Sequence, residues 1–132
     1  MKKVFLLVIF FCVYTLGFSQ TIARTDKNQF GVYDEYFKKW RFEDFKYSDI
    51  SIRFEPGRFV FDDNNRSVYT VTERIGEKLN QDSKFTSWVC LDEKDRKCVV
   101  QLIHYYETKE NVLTVVYGKT CFVYYITEVK TY

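Results

Sequence analysis

The side chains here that could carry chemistry are few. "SWVCLDEKDRKCVVQL" places Cys90 and Cys98 on the two arms of a hairpin, and "GKTCFVYYI" adds Cys121. His104 is the one histidine. Asp62, Asp63, Asn64 and Asn65 form a run of oxygen donors, and Glu43-Asp44 and Asp92-Glu93 are paired acids.

Each supports a chemical reading weakly. Seven residues separate Cys90 from Cys98, so there is no C-x-x-C redox motif. A structural zinc site wants four ligands at characteristic spacing, and the three cysteines with His104 lack that spacing. On a strand, Cys98, Val100, Leu102, His104 and Tyr106 share one face, which puts His104 about 20 Å from Cys98 at the usual rise. Shared coordination is out of reach, and the simpler reading of His104 is a half-exposed sheet residue. The donors at 62 to 65 are consecutive, whereas a calcium loop spaces its ligands; an Asx-rich turn accounts for them. Lysines or arginines flank both acid pairs, as on a salt-bridged hairpin surface, which weakens a two-carboxylate glycosidase reading. No glycine-rich phosphate loop, G-x-S-x-G elbow or H-E-x-x-H helix occurs. The sequence therefore predicts a non-enzymatic protein with no cofactor and no metal.

The cysteines read more naturally as a staple. Cys90 opposite Cys98 requires an odd loop centred on Lys94, with Asp95 where glycine would be preferred. Cys98 opposite Cys121 instead centres a turn between Lys109 and Glu110, where "TKEN" suggests a four-residue loop. Cys90 and Cys121 would then stand two strands apart, roughly 9 to 10 Å, beyond the reach of a disulfide. The disulfide candidates are Cys98 with Cys121 or with Cys90.

That staple presumes an oxidising compartment. "MKKVFLLVIFFCVYTLGFSQ" supplies Lys2 and Lys3, an apolar run from Val4 to Val13 and the small-x-small pattern Gly17-Phe18-Ser19, so residues 1 to 19 read as a secretory signal peptide. The run is shorter than the roughly 20 residues a spanning helix needs, so the mature chain is not expected to span a membrane. Cys12 would leave with the signal. Of 132 residues, 113 remain, enough for a single β domain over 20 to 132. Loss of Lys2 and Lys3 reduces the 20 basic residues to 18, against 18 acidic ones. A chain so balanced, without a basic cluster, has little means of holding a phosphate backbone, and nucleic acid is excluded as a partner.

The elements that must position these residues are strands. Ile50, Ile52 and Phe54 alternate before Pro56-Gly57, and Phe59 and Phe61 resume after it, the period of a half-buried strand closed by a turn. "VYDEYFKKW" carries helical spacing at Tyr33, Tyr36, Phe37 and Trp40, but also reads as two strands joined around Glu35 to Phe37, the reading its neighbours favour. "ERIGEKLNQDSK" reads as a loop with room for a helical turn. From Phe85 onward come a strand into Cys90, one from Cys98 to Glu107 and one from Val112 to about Thr127, with Gly118 as a bulge. The expected fold is all-β, an antiparallel meander of about eight or nine short strands, rolled into a small lipocalin-like barrel or folded as a sandwich.

"YFKKWRFEDFKYSDISIRF", "SVYTV" and "SWVCLDEKDRKCVVQL" resemble small secreted bacterial β-rich proteins, and "GFSQ" looks like a bacterial export signal. The resemblance implies a β-rich, secreted or periplasmic protein and supplies no activity, ligand or site. Aromatics carry what remains of the functional signal. Trp40, Trp88, Tyr124 and Tyr125 are the candidate binding aromatics, and Tyr124 and Tyr125 must point to opposite faces. A binding module for a protein or envelope component is the first expectation, and a carrier of a small apolar ligand the alternative.

Overall fold

The computed structural model describes residues 21 to 63 and 66 to 132. The signal-peptide reading, Cys12, Asn64 and Asn65 fall outside them. Nine strands follow in order: β1 (Thr21–Asp34), β2 (Lys39–Phe42), β3 (Lys46–Glu55), β4 (Arg58–Asp62), β5 (Ser67–Leu79), β6 (Ser83–Leu91), β7 (Lys97–Tyr105), β8 (Asn111–Tyr117) and β9 (Thr120–Thr131). Every pairing is antiparallel, and β1 pairs β9 from Thr21 to Val32, closing β1 and β3 to β9 into an eight-stranded barrel. The extra strand, β2, pairs with Gly31 to Asp34 of β1, in line with β3, which takes Thr21 to Asn28. Closure chooses barrel over sandwich and leaves the eight strands no long exposed edge.

Alternation decides which residues face inward. Phe61 on β4 meets Tyr124 on β9 at 4.9 Å between ring centroids, and Phe59 on β4 meets Trp88 on β6 at 5.1 Å. These strands are not neighbours, so the contacts cross the interior. Around them pack Ala23, Ile52, Tyr69, Cys90, Cys98, Val100, Leu113 and Val115. An eight-stranded barrel is just wide enough for side chains to fill, and each large apolar side chain buried there contributes roughly 1.5 to 3 kcal/mol. A second apolar cluster lies on the outer face: Ile103, Val112, Cys121 and Val123, flanked by Trp40, Phe85, Tyr105, Val116 and Tyr125.

Turn chemistry sets the registers. Pro56-Gly57 closes Glu55 onto Arg58, with Gly57 at φ 73°. Glu93 to Asp95 form an odd loop closed by the Asp92 amide donating to the Arg96 carbonyl at 3.0 Å, with Asp95 in the left-handed region at φ 59°.

Two readings of the sequence are corrected. The stretch from Val112 to Thr127 is two strands, because Gly118 at φ 56° opens a two-residue turn that pairs Tyr117 with Thr120; it is not a bulge. "ERIGEKL" is strand rather than loop. Bulges between Val71 and Glu73 and between Arg74 and Gly76 break its alternation, which conceals the strand from a period-2 reading.

Candidate functional site

The barrel end that receives the starts of β3 and β9 is open. β4 ends at Asp62, opposite Ser51, so the first residues of β3 extend past it. Beside them lies a cup of about 590 Å³ whose lining includes Asn28, Ser48, Ile50, Asp62, Phe122 and Tyr124. That volume lies within the range of small-molecule sites, roughly 300 to 1,000 Å³. Phe122 and Tyr124 form an aromatic wall, and Asn28 Nδ2 donates to Ser48 Oγ at 3.1 Å. Asp62 is held by Arg53 Nε at 2.8 Å. Burial, then Tyr69 and Asp63, push the Tyr124 hydroxyl upward, so it stays a protonated donor.

Beside this opening the β6–β7 turn folds around one carboxylate. Asp92 Oδ1 accepts from the Lys94 and Arg96 amides, each at 2.9 Å, and Oδ2 accepts from Arg96 Nε at 2.8 Å and the Tyr117 hydroxyl at 3.0 Å. Burial alone would raise this carboxyl; the hydrogen bonds from Arg96, Lys94 and Tyr117 outweigh it and hold it at about 2. Tyr117, desolvated and bonded to Tyr69 and Asp92, is pushed strongly upward. The arrangement is built to hold a turn, with every donor aimed at one anion.

The sequence-predicted residues are dispersed. Trp88 is an interior packing residue against Phe59. Trp40 lies edge-on to Tyr33 at 5.5 Å on the outer face. Tyr124 and Tyr125 do face opposite ways: Tyr124 lines the cup, while the Tyr125 hydroxyl donates to Gln29 Oε1 at 2.8 Å outside it. Cys90 is opposite Cys98, and Cys121 is opposite Val116 and Gly31 in the outer cluster. The proposed register of Cys98 against Cys121 is therefore replaced, because the strand carrying Cys121 is β9 and not the neighbour of β7.

The three cysteines among the described residues are free thiols. Burial pushes Cys90 up to about 12 and Cys98 to about 11, and raises Cys121 too, so they are poor nucleophiles and poor metal ligands. Among the described residues, no group of three or more His, Cys, Asp or Glu is placed to hold a metal ion. His104 sits at the far end of β7 from Cys98, its Nδ1 2.9 Å from Asn111 Oδ1.

Asn28, Ser48 and Phe122 escaped the sequence reading, since nothing in their spacing marks the place where β3 extends past β4. A second surface was also hidden. Tyr36 (87% exposed), Phe37 (57%) and Tyr47 (75%) stand out with Phe42 and Phe45 around β2. Lys39 and Arg41 lie over the Phe37 ring, and Lys27 over Phe45 at 4.4 Å. No protein-family model, curated protein or solved structure matches the chain.

Proposed function

We propose that this is an exported, non-enzymatic binding barrel that holds a small molecule in the cup between β1, β3 and β9. The observation that carries the reading is the cup itself: about 590 Å³, with an aromatic wall at Phe122 and Tyr124 and polar groups at Asn28 and Ser48. The ligand implied is small, with a flat or apolar part for the wall and hydrogen-bonding groups for the rim. This differs from a deep lipocalin-like pocket, since Phe59, Phe61, Tyr69 and Trp88 occupy the middle of the barrel. Export by residues 1 to 19 would deliver the chain to an oxidising compartment, where Cys90 and Cys98 are the pair placed to join.

The test is native mass spectrometry of the protein exported by its own signal. A small molecule that leaves on denaturation is expected, and Asn28→Trp, which fills the cup, should lose it. A bare wild-type protein would overturn the reading.

A second reading rests on the aromatic surface around β2. Exposed apolar patches of this kind mark partner surfaces, and Tyr36 and Phe37 at the β1–β2 turn would anchor a protein or envelope component. Replacing both by Ser should abolish capture of such a partner while leaving the cup ligand bound.

A further inference from the structure

At the end of the barrel opposite the cup, the registers line up a polar row. Lys84 pairs with His104 and His104 with Asn111, and the row is flanked by Leu79 opposite Lys84 and Ile126 opposite Asn111. Lys84 shares its face of β6 with Trp88, and Asn111 shares its face of β8 with Leu113, both interior residues. Three consecutive strands thus present an ammonium, an imidazole and an amide side by side, with directly paired Cβ atoms roughly 5 Å apart.

Lys84 is the anomaly. Its side chain is only 4% exposed, yet its Nζ makes no hydrogen bond among the described residues. Glu77 Oε1 lies 3.4 Å away, and Arg74 Nη2 lies 3.9 Å from the same oxygen. Glu77 reaches this place because the bulge before Gly76, at φ 121°, returns it to the interior opposite Thr86. An ammonium has three donors, and a buried one is costly until they find acceptors. Two cations, Arg74 and Lys84, flank one carboxylate. The His104–Asn111 contact fixes the imidazole beside them, with Nδ1 donating because the amide oxygen can only accept.

We infer that this layer is a binding site for a small carboxylate anion, with Lys84 as its ionic anchor and the His104–Asn111 pair as its wall. A carboxylate supplies two acceptor oxygens to the unbonded ammonium and one negative charge to the pair of cations. The inference is independent of the cup, from which the interior aromatics separate it.

His104 is the only histidine, so its imidazole proton resonances report on the site alone. Acetate titrated into the mature protein at constant ionic strength, against chloride and neutral acetamide, should shift those resonances saturably, with neither control doing so. Lys84→Met, similar in length and uncharged, should weaken the response by about tenfold or more, its fold checked by circular dichroism. Equal responses to acetate, acetamide and chloride would overturn the site, as would a folded Lys84→Met variant that titrates like the parent. Should that variant fail to fold, the comparison of acetate with acetamide on the parent still decides.

Discussion

Cys90 stands directly opposite Cys98 on the β6–β7 ladder inside the barrel, while Cys121 lies outside it against Gly31. The Asp92–Arg96 hydrogen bond, two residues further along the same ladder, makes Cys90 and Cys98 a hydrogen-bonded pair, for which Cα atoms are about 5.5 Å apart. That separation falls within the range a disulfide accepts.

Thiol counting follows from this arrangement. In the reduced, folded protein all three thiols should resist alkylation at neutral pH, being buried and protonated. Exported protein, unfolded without reductant, should take up one alkyl group at Cys121, and Cys90→Ser should take up two. Closing this ring would stabilise the fold by about 2.6 kcal/mol on the chain-entropy account. Three adducts on the exported wild type would show that the staple does not close.

Acid should destabilise the turn end of the barrel. Asp92 is held at about 2, below the roughly 3.9 of an unfolded aspartate. A depressed carboxyl contributes stability that is full above the unfolded value and is lost as pH falls through the folded one. Denaturation midpoints should therefore decline between about pH 5 and pH 2. Asp92→Asn should lower stability at neutral pH and flatten that decline, and an unchanged pH profile in the variant would refute the assignment.

Gly31 is a close-approach position. A Cβ there would meet the Phe42 ring at 2.6 Å and Cys121 Sγ at 3.0 Å. Gly31→Ala should cost about 1 to 3 kcal/mol, the usual range for overpacking, by displacing Phe42 from β1. Phe42→Ala made in the Gly31→Ala background should recover part of the loss. Strict additivity of the two changes in a double-mutant cycle would show that they do not touch.

Asp95 holds a left-handed backbone, at φ 59°, in the loop between the cysteine strands. A non-glycine residue pays about 1 to 2 kcal/mol there, part of which glycine returns as unfolded-state entropy. Asp95→Gly should thus stabilise the protein by roughly 0.5 to 1 kcal/mol in urea titrations.

Much of the fold was legible because it is local. Alternation at Ile50, Ile52 and Phe54, the Pro56-Gly57 turn and the odd loop centred on Lys94 each follow from a few neighbouring residues, and the strands fall where they indicate. The failures occur where two local signals compete. Gly118 fits a bulge or a turn equally well, and that single choice moved Cys121 one strand away from Cys98. In "ERIGEKL" two bulges erased the alternation that would have declared the strand.

By itself the sequence determined the all-β class, most of the strands, their antiparallel order and the pairing of Cys90 with Cys98 as one of two alternatives, because turns and alternation act over a few residues. Tertiary structure alone decided closure, since the β1–β9 ladder joins residues about a hundred positions apart. Closure in turn assigned each face to the inside or outside, opened the cup where β3 extends past β4 and buried Lys84 beside His104. Those sites depend on long-range register, in which a shift of one residue exchanges the two faces of a strand.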